Sequence, residues 1–259
     1  MNGEQVNDLI ISGSGSAGGG TYKAVDISGS GRIQGDIECE DFKISGSGRV
    51  EGSVKARFIH TSGSARIKGN AESEDIVVSG SAHFFGDVVS NDIEVSGSAD
   101  IDGRLAAKNL SVSGSTKVGK HLSGETIEVS GGLTVKENCE AETFKVKGGF
   151  RIGGLLNADH VDITLYFDKA TVREIGGETI EVRKGMKRFG FDKWFGGIFS
   201  RELTVDVVEG DDIYLESTHA KVVRGNRVRI GKDCNIELVE YKKSVDISDQ
   251  AKVGEQKQI

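Results

Sequence analysis

The chain of 259 residues has no proline, one tryptophan, two methionines and three cysteines, and aromatics make up only 6% of it. The absence of proline excludes Pro-rich linkers and polyproline segments. It also leaves every residue able to donate a ladder hydrogen bond, as long β-structure requires. Cys39, Cys139 and Cys234 are odd in number, far apart and without a CxxC pair. Neither a disulfide framework nor a zinc site follows from them, and a reducing cytosol suits them best. No apolar run approaches the roughly 18 residues of a membrane span. The opening MNGEQVNDLI lacks the basic region and apolar stretch of a secretory leader, so a cytoplasmic location is expected. A net charge of −7 argues against a nucleic-acid partner, which calls for a basic stripe.

What the chain does have is glycine, 37 residues of it, set in a repeat. Ser-Gly pairs stand at Ser12, Ser28, Ser45, Ser62, Ser79, Ser96, Ser113 and Ser130, the first step being 16 residues and the others 17. Lys147-Gly148-Gly149 falls on the next step. Apolar columns keep the same period. Ile27, Ile44, Thr61, Val78, Val95 and Val112 precede the serine; Ile33, Val50, Ile67, Phe84 and Ile101 follow it by five; Ile37, Val54, Ala71, Val88 and Leu105 follow by nine. Within a repeat these residues alternate with polar or small ones, the period of half-buried strands.

Seventeen residues are too few for a helical repeat unit, and they suit one coil of a β-solenoid with about three short strands. Stacked coils pair each backbone with the coil above and below, and the apolar columns become ladders in a narrow core. The predicted class is therefore all-β, a single-stranded β-solenoid with about 17 residues per coil and one irregular insertion. Residues 1–9 read as a lead and 10–163 as the regular solenoid. Residues 164–202 read as irregular, and 203–259 as resumed coils. The resumption is visible where Val228 and Ile230 recur as Val245 and Ile247. The irregular stretch contains RKGMKRFGFDKWFGGIFSR at 183–201, with the only tryptophan, four of the eleven phenylalanines, and six basic residues against one acid. Phe191, Trp194, Phe195, Ile198 and Phe199 fit one helical face, whereas Gly196-Gly197 suits a hairpin turn equally well, and the segment reads as a hydrophobic plug packed on the solenoid, a membrane anchor or a partner-docking surface.

No constellation in the sequence points to catalysis, a metal or a cofactor. His60, His83, His121, His160 and His219 share no column and form no HExxH pair. Hexapeptide-repeat acyltransferases need a period near 18 with a six-residue sub-period, which is absent here. Calcium-binding nonapeptide repeats need aspartates that the SGSG turns lack. Glu40, Glu74, Glu125, Glu142 and Asp159 share a column, interrupted by Arg57, Asn91 and Lys108, and read as a solvated face rather than a catalytic pair. GSGSAGGG at 13–20 lacks the Gly-Lys-Ser/Thr ending of a phosphate loop. Serine at the corners is explained by turn chemistry.

The coil motif, as in ISGSGRIQGDI at 27–37 and ISGSGRVEGSV at 44–54, resembles that of bactofilins, polymer-forming bacterial cytoskeletal proteins. The likeness covers about residues 10–163, with a fainter continuation at 203–254. It implies a right-handed β-helix that polymerises end to end without nucleotide. It also implies a non-enzymatic cytoplasmic scaffold that positions cell-envelope or motility machinery and takes no small-molecule substrate. A solenoid exposes unpaired strand edges at its terminal coils. Contacts between copies are therefore expected at Val6, Ile10, Ile11 and Val25 on one side and at Val245, Ile247 and Val253 on the other. The alternative is a monomeric solenoid that docks a membrane surface or partner protein through Lys187, Arg188, Phe189, Phe191, Trp194, Phe195, Ile198 and Phe199.

Overall fold

The computed structural model describes residues 7–166, 169–185 and 201–259, and these contain strands, bends and turns but no helix. The chain forms two compact units, Met1–Gly124 and Glu125–Ile259. Each is a β-solenoid in which parallel strands of successive coils stack in register.

In the N-terminal unit each regular coil has a four-residue strand, such as Ser64–Ile67 or Ser81–Phe84, and an eight-residue strand, such as Ala71–Val78 or Val88–Val95. The long strand is bent. Burial alternates through Val88, Val89 and Ser90, then Asn91 and Asp92 are both exposed before alternation resumes at Ile93. Two successive outward residues reverse the inward phase, which is how one strand supplies two of the coil's three sides. The pairing confirms the corner: Ser90 matches Ala107 and Asp92 matches Asn109, leaving Asn91 and Lys108 out of register. The inward columns are the ones the sequence period marks, and Ile27, Ile44, Val78, Val95 and Val112 are all at most 1% exposed.

The Ser-Gly corner needs glycine for a reason that turn propensity does not reveal. Among the described glycines, only Gly20 and Gly35 have positive φ. At the other corners the constraint is close approach. A Cβ on Gly29, Gly46, Gly63, Gly80, Gly97 or Gly114 would overlap the carbonyl oxygen of the glycine one coil earlier. Ser62 and Gly63 N–H both donate to the Ile44 carbonyl, at 2.9 and 3.2 Å, and Ser64 N–H donates to Gly46, at 2.8 Å. The turns are thereby drawn together, with no room between them for a side chain.

A second corner carries a ladder of short polar side chains. Asp36 Oδ1 accepts from Ser53 N–H (2.7 Å), Ser53 Oγ from Asn70 N–H (3.2 Å), Asn70 Oδ1 from Asp87 N–H (2.9 Å), and Asp87 Oδ1 from Arg104 N–H (2.8 Å). Each is a cross-coil staple 17 residues long. Arg104 closes the series by donating its guanidinium to Asp87 Oδ2 at 2.8 Å. That hydrogen bond, first among the causes, holds the Asp87 carboxyl below the usual carboxylate range.

The C-terminal unit keeps the core ladders while the coil length varies. Val146 pairs with Ile163 at the usual step, but Ile163 pairs with Val182, 19 residues on. This longer coil explains why SGETIEV at 123–129 recurs as GGETIEV at 176–182 with a spacing of 53. Val182 then pairs with Leu215, across the stretch that includes 186–200, and Leu215 pairs with Ile230 after only 15 residues. Ala170–Lys184, inside the stretch read from sequence as irregular, is a strand paired on both sides. The apolar register survives because residues are added or removed at corners.

Three outcomes test this account. Gly63→Ala should lower the thermal midpoint by the equivalent of about 1–3 kcal/mol, the usual cost of forced overpacking, while Gly13→Ala, with open space at its Cβ, should leave it unchanged; calorimetry compares them. Thr116 is fully buried and its Oγ1 has no hydrogen-bond partner among the described residues. Thr116→Val should therefore raise the midpoint, by an amount on the order of 1 kcal/mol. Asp87 has a lowered folded-state pKa, so its stabilisation is complete above the unfolded carboxylate pKa and is lost as pH falls through the folded value. Asp87→Asn keeps the Oδ1 acceptor, and acid titration followed by circular dichroism should show that part of the pH dependence removed.

Candidate functional site

The surfaces that distinguish this solenoid from a closed domain are the strand edges of its first and last coils. In the N-terminal unit Leu9–Ile11 pairs with Ala24–Ile27, and Ser14–Thr21 pairs with the strand Ser30–Ile44. Among the described residues neither Leu9–Ile11 nor Ser14–Thr21 has a strand on its other side. The sequences are LII and SGSAGGGT, without a charge. Ile10 points outward and is 69% exposed, Ile11 is buried, and Val25 is enclosed in the core. Val6 lies outside the described residues.

In the C-terminal unit the last full strand, Asn235–Ile247, pairs along its length with Thr218–Ile230. On its other side Lys252–Gln258 covers it only over Asn235–Tyr241. The remainder is bare. Val228 and Ile230 are 1% and 2% exposed, yet Val245 and Ile247, in the same columns one coil later, are half-buried. Val253 is half-buried where Ile236, its partner one coil earlier, is 1% exposed. An apolar ladder therefore stops with its last rung uncovered. This edge carries Lys242, Lys243, Lys252 and Lys257 together with Glu237, Glu240, Asp246 and Glu255, unlike the two uncharged strands of the first coil.

Lys187, Arg188, Phe189, Phe191, Trp194, Phe195, Ile198 and Phe199, the aromatic-basic group, lie outside the described residues. The chain on either side is firmly tied. Lys184 N–H donates to Glu216 Oε2 and Lys184 Nζ to Asp233 Oδ2, both at 2.8 Å. The Lys184 hydrogen bond lowers the Asp233 pKa. Tyr214 donates to the other Glu216 oxygen at 2.9 Å, and burial together with that carboxylate raises the Tyr214 pKa. Beyond the segment, Glu202 lies 3.4 Å from Lys169 and 3.5 Å from His219.

Among the described residues each unit carries a shallow cleft. That of about 440 Å³ in the C-terminal unit is lined by Gly176, Gly177, Gly210 and Gly225, with Glu209 and Arg224 among its charges. Arg224 lies between Glu209 and Glu240, at 3.2 and 2.7 Å. That of about 400 Å³ in the N-terminal unit is lined by Ser30, Arg32, Ser47, Arg49, Ser64 and Arg66. Among the described residues no group of three or more His, Cys, Asp or Glu converges as a metal site. The three cysteines are buried. Burial pushes the Cys39 thiol up to about 12 and Cys234 to about 11, and raises Cys139 as well, so none is a ready nucleophile. No helix among the described residues is long and apolar enough to cross a membrane.

Sequence reasoning missed the corner staples and the arginine column. Both were present as 17-residue spacings of one residue class: Asp36, Ser53, Asn70 and Asp87 for the first, Arg32, Arg49 and Arg66 for the second.

No solved structure matches the chain. Two proteins of Bacillus subtilis (strain 168) are similar to parts of it. One, described as uncharacterized protein YhbF, is 38% identical over 102 residues, covering 39% of this chain and 40% of that protein. The other, described as uncharacterized protein YhbE, is 46% identical over 93 residues, covering 35% of this chain and 37% of that protein. The chain thus spans well under half the length of these relatives. Over residues 4–89 it matches the family model of bactofilin, described as polymer-forming cytoskeletal.

Proposed function

We propose that the protein is a non-enzymatic cytoskeletal scaffold whose copies join through the bare edges of their terminal coils, forming filaments without nucleotide. The observation that carries this reading is the uncovered rung at Val245 and Ile247. Burying those side chains under another coil would extend ladders that are already complete elsewhere, and would pair the N–H and C=O groups an edge leaves open. The opposing surface is the first coil, with Ile10 exposed at its edge and Ile11 just beneath. Both surfaces belong to the same repeat, so a second copy meets the stacking geometry the chain already uses internally. The family match over residues 4–89 supports self-association. In the cell such a polymer would hold cell-envelope or motility proteins in place from the cytoplasmic side.

The aromatic-basic segment at 183–201 is proposed as the contact to a membrane surface or partner protein. Its support is composition together with the anchoring of Lys184, at its start, by Glu216 and Asp233. In that role it is an accessory to the polymer.

Negative-stain electron microscopy of purified protein, without nucleotide, tests the reading. Wild type should give filaments. Ile247→Lys or Ile10→Lys should shorten them at least several-fold while leaving the β-rich circular dichroism spectrum intact, since each adds a charge where a coil must stack. Filaments of unchanged length in both variants would remove terminal-coil stacking as the mechanism.

A further inference from the structure

Charges on neighbouring coils mostly alternate in sign. Lys55 faces Glu72 (3.5 Å), Arg104 faces Asp87 (2.8 Å), and Lys117 faces Asp100 (3.7 Å) in the N-terminal unit. Lys145 faces Glu128 (3.7 Å) in the C-terminal unit. Such pairing relieves the repulsion that like charges directly opposite each other would cause.

Arg32, Arg49 and Arg66 break the pattern. They occupy successive rungs of one sheet face, in register, with Ser30, Ser47 and Ser64 in the matching row beside them. Glu51 lies 2.6 Å from Arg49 and 3.8 Å from Arg32, so one carboxylate serves two guanidinium groups. Arg66 has no ion-pair partner among the described residues. A second same-sign series lies in the C-terminal unit. Glu125, Glu142 and Asp159 recur at 17 residues on successive paired strands and Glu178 follows in the same column one coil on, all exposed and without an ion-pair partner among the described residues. Asp75 and Asp92 also face each other, but there Asn109 donates to Asp92 at 2.8 Å.

A local departure from a rule that the rest of the surface follows marks a site under another constraint. The two series are opposite in sign and equal in step, because each advances one coil, about 4.8 Å, per residue. We infer that they are the two halves of a side-by-side contact between copies: the arginine ladder of one chain lies along the carboxylate ladder of a second. Equal steps let all three pairs form together, whichever way the second chain runs. Each exposed pair is individually weak. Repetition along a filament makes the contact strong collectively and reversible with salt, as linked weak sites behave. The inference goes beyond end-to-end stacking and does not depend on it, since two copies can lie side by side without forming a filament.

Charge exchange tests it. One variant carries Arg32→Glu, Arg49→Glu and Arg66→Glu; the other carries Glu125→Lys, Glu142→Lys, Asp159→Lys and Glu178→Lys. All seven positions are on the surface, and circular dichroism verifies that each variant folds. At low salt the wild type should form lateral bundles that disperse at about 0.5 M salt, where the screening length falls well below the ~10 Å of 0.1 M salt. Each variant alone should fail to bundle. An equimolar mixture should bundle again, because the new glutamates of one meet the new lysines of the other. Filament width is read separately from length, so loss of bundling with length preserved is distinct from loss of end stacking. If no filaments form, sedimentation velocity reads the same mixing series as dimerisation. Bundling or dimerisation by either variant alone at the wild-type level, or no recovery on mixing, overturns the inference. So does an arginine variant that loses binding to added polyphosphate while the lysine variant associates like wild type. In that case the ladder belongs to an anionic polymer.

Discussion

The structure rests on how closely one turn of backbone can lie on the next. At the Ser-Gly corner a glycine Cα faces the carbonyl oxygen of the glycine one coil earlier, with no space for a methyl group. That approach holds the strands within hydrogen-bonding reach on all three sides at once. In the N-terminal unit the constant coil length follows from it, because a side that ran one residue too long would carry the next Ser-Gly corner off its partner. The inward ladders of Ile, Val and Leu then supply burial. They succeed as ladders only because the corners keep every coil in the same rotational setting.

Most of this was legible in the sequence, since a period of 17 held by both glycine and apolar residues leaves few architectures. The columns at Ile27, Ile33 and Ile37 and their successors were placed inward by alternation alone, and the structure buries them. What the sequence did not disclose was mechanism. Among the described glycines only Gly20 and Gly35 have the positive φ that turn chemistry would call for; those of the Ser-Gly corners are set by contact with a residue one coil away. The polar staples Asp36, Ser53, Asn70 and Asp87 were invisible for a related reason. Their shared property is a short side chain with an acceptor, and no propensity scale groups them.

The candidate site was legible in part. Reading the repeat to its limits identified Val245 and Ile247 as the last rung, and their partial exposure is the physical mark of a missing neighbour. The sequence could not show that Lys252–Gln258 returns over only half of that coil. Nor could it separate Ile10, which faces outward, from Ile11, which faces the core, beyond the bare alternation. The contrast between the two bare edges, with charges of both signs on the strands of one and none on those of the other, became meaningful only once the strands were paired.

The variation in coil length in the C-terminal unit has a consequence for how such a chain changes over generations. Coils of 15, 17 and 19 residues share one set of inward columns there. Every coil offers its neighbour much the same face, a row of apolar side chains between two open strand edges. Duplication or loss of a whole repeat by unequal recombination would therefore join two compatible faces and leave no seam. Lengthening at a corner would add new chain outside the stack without altering what lies within. A gene encoding this fold can gain or shed reach one coil at a time, and acquire a new surface feature between coils, while each intermediate still folds.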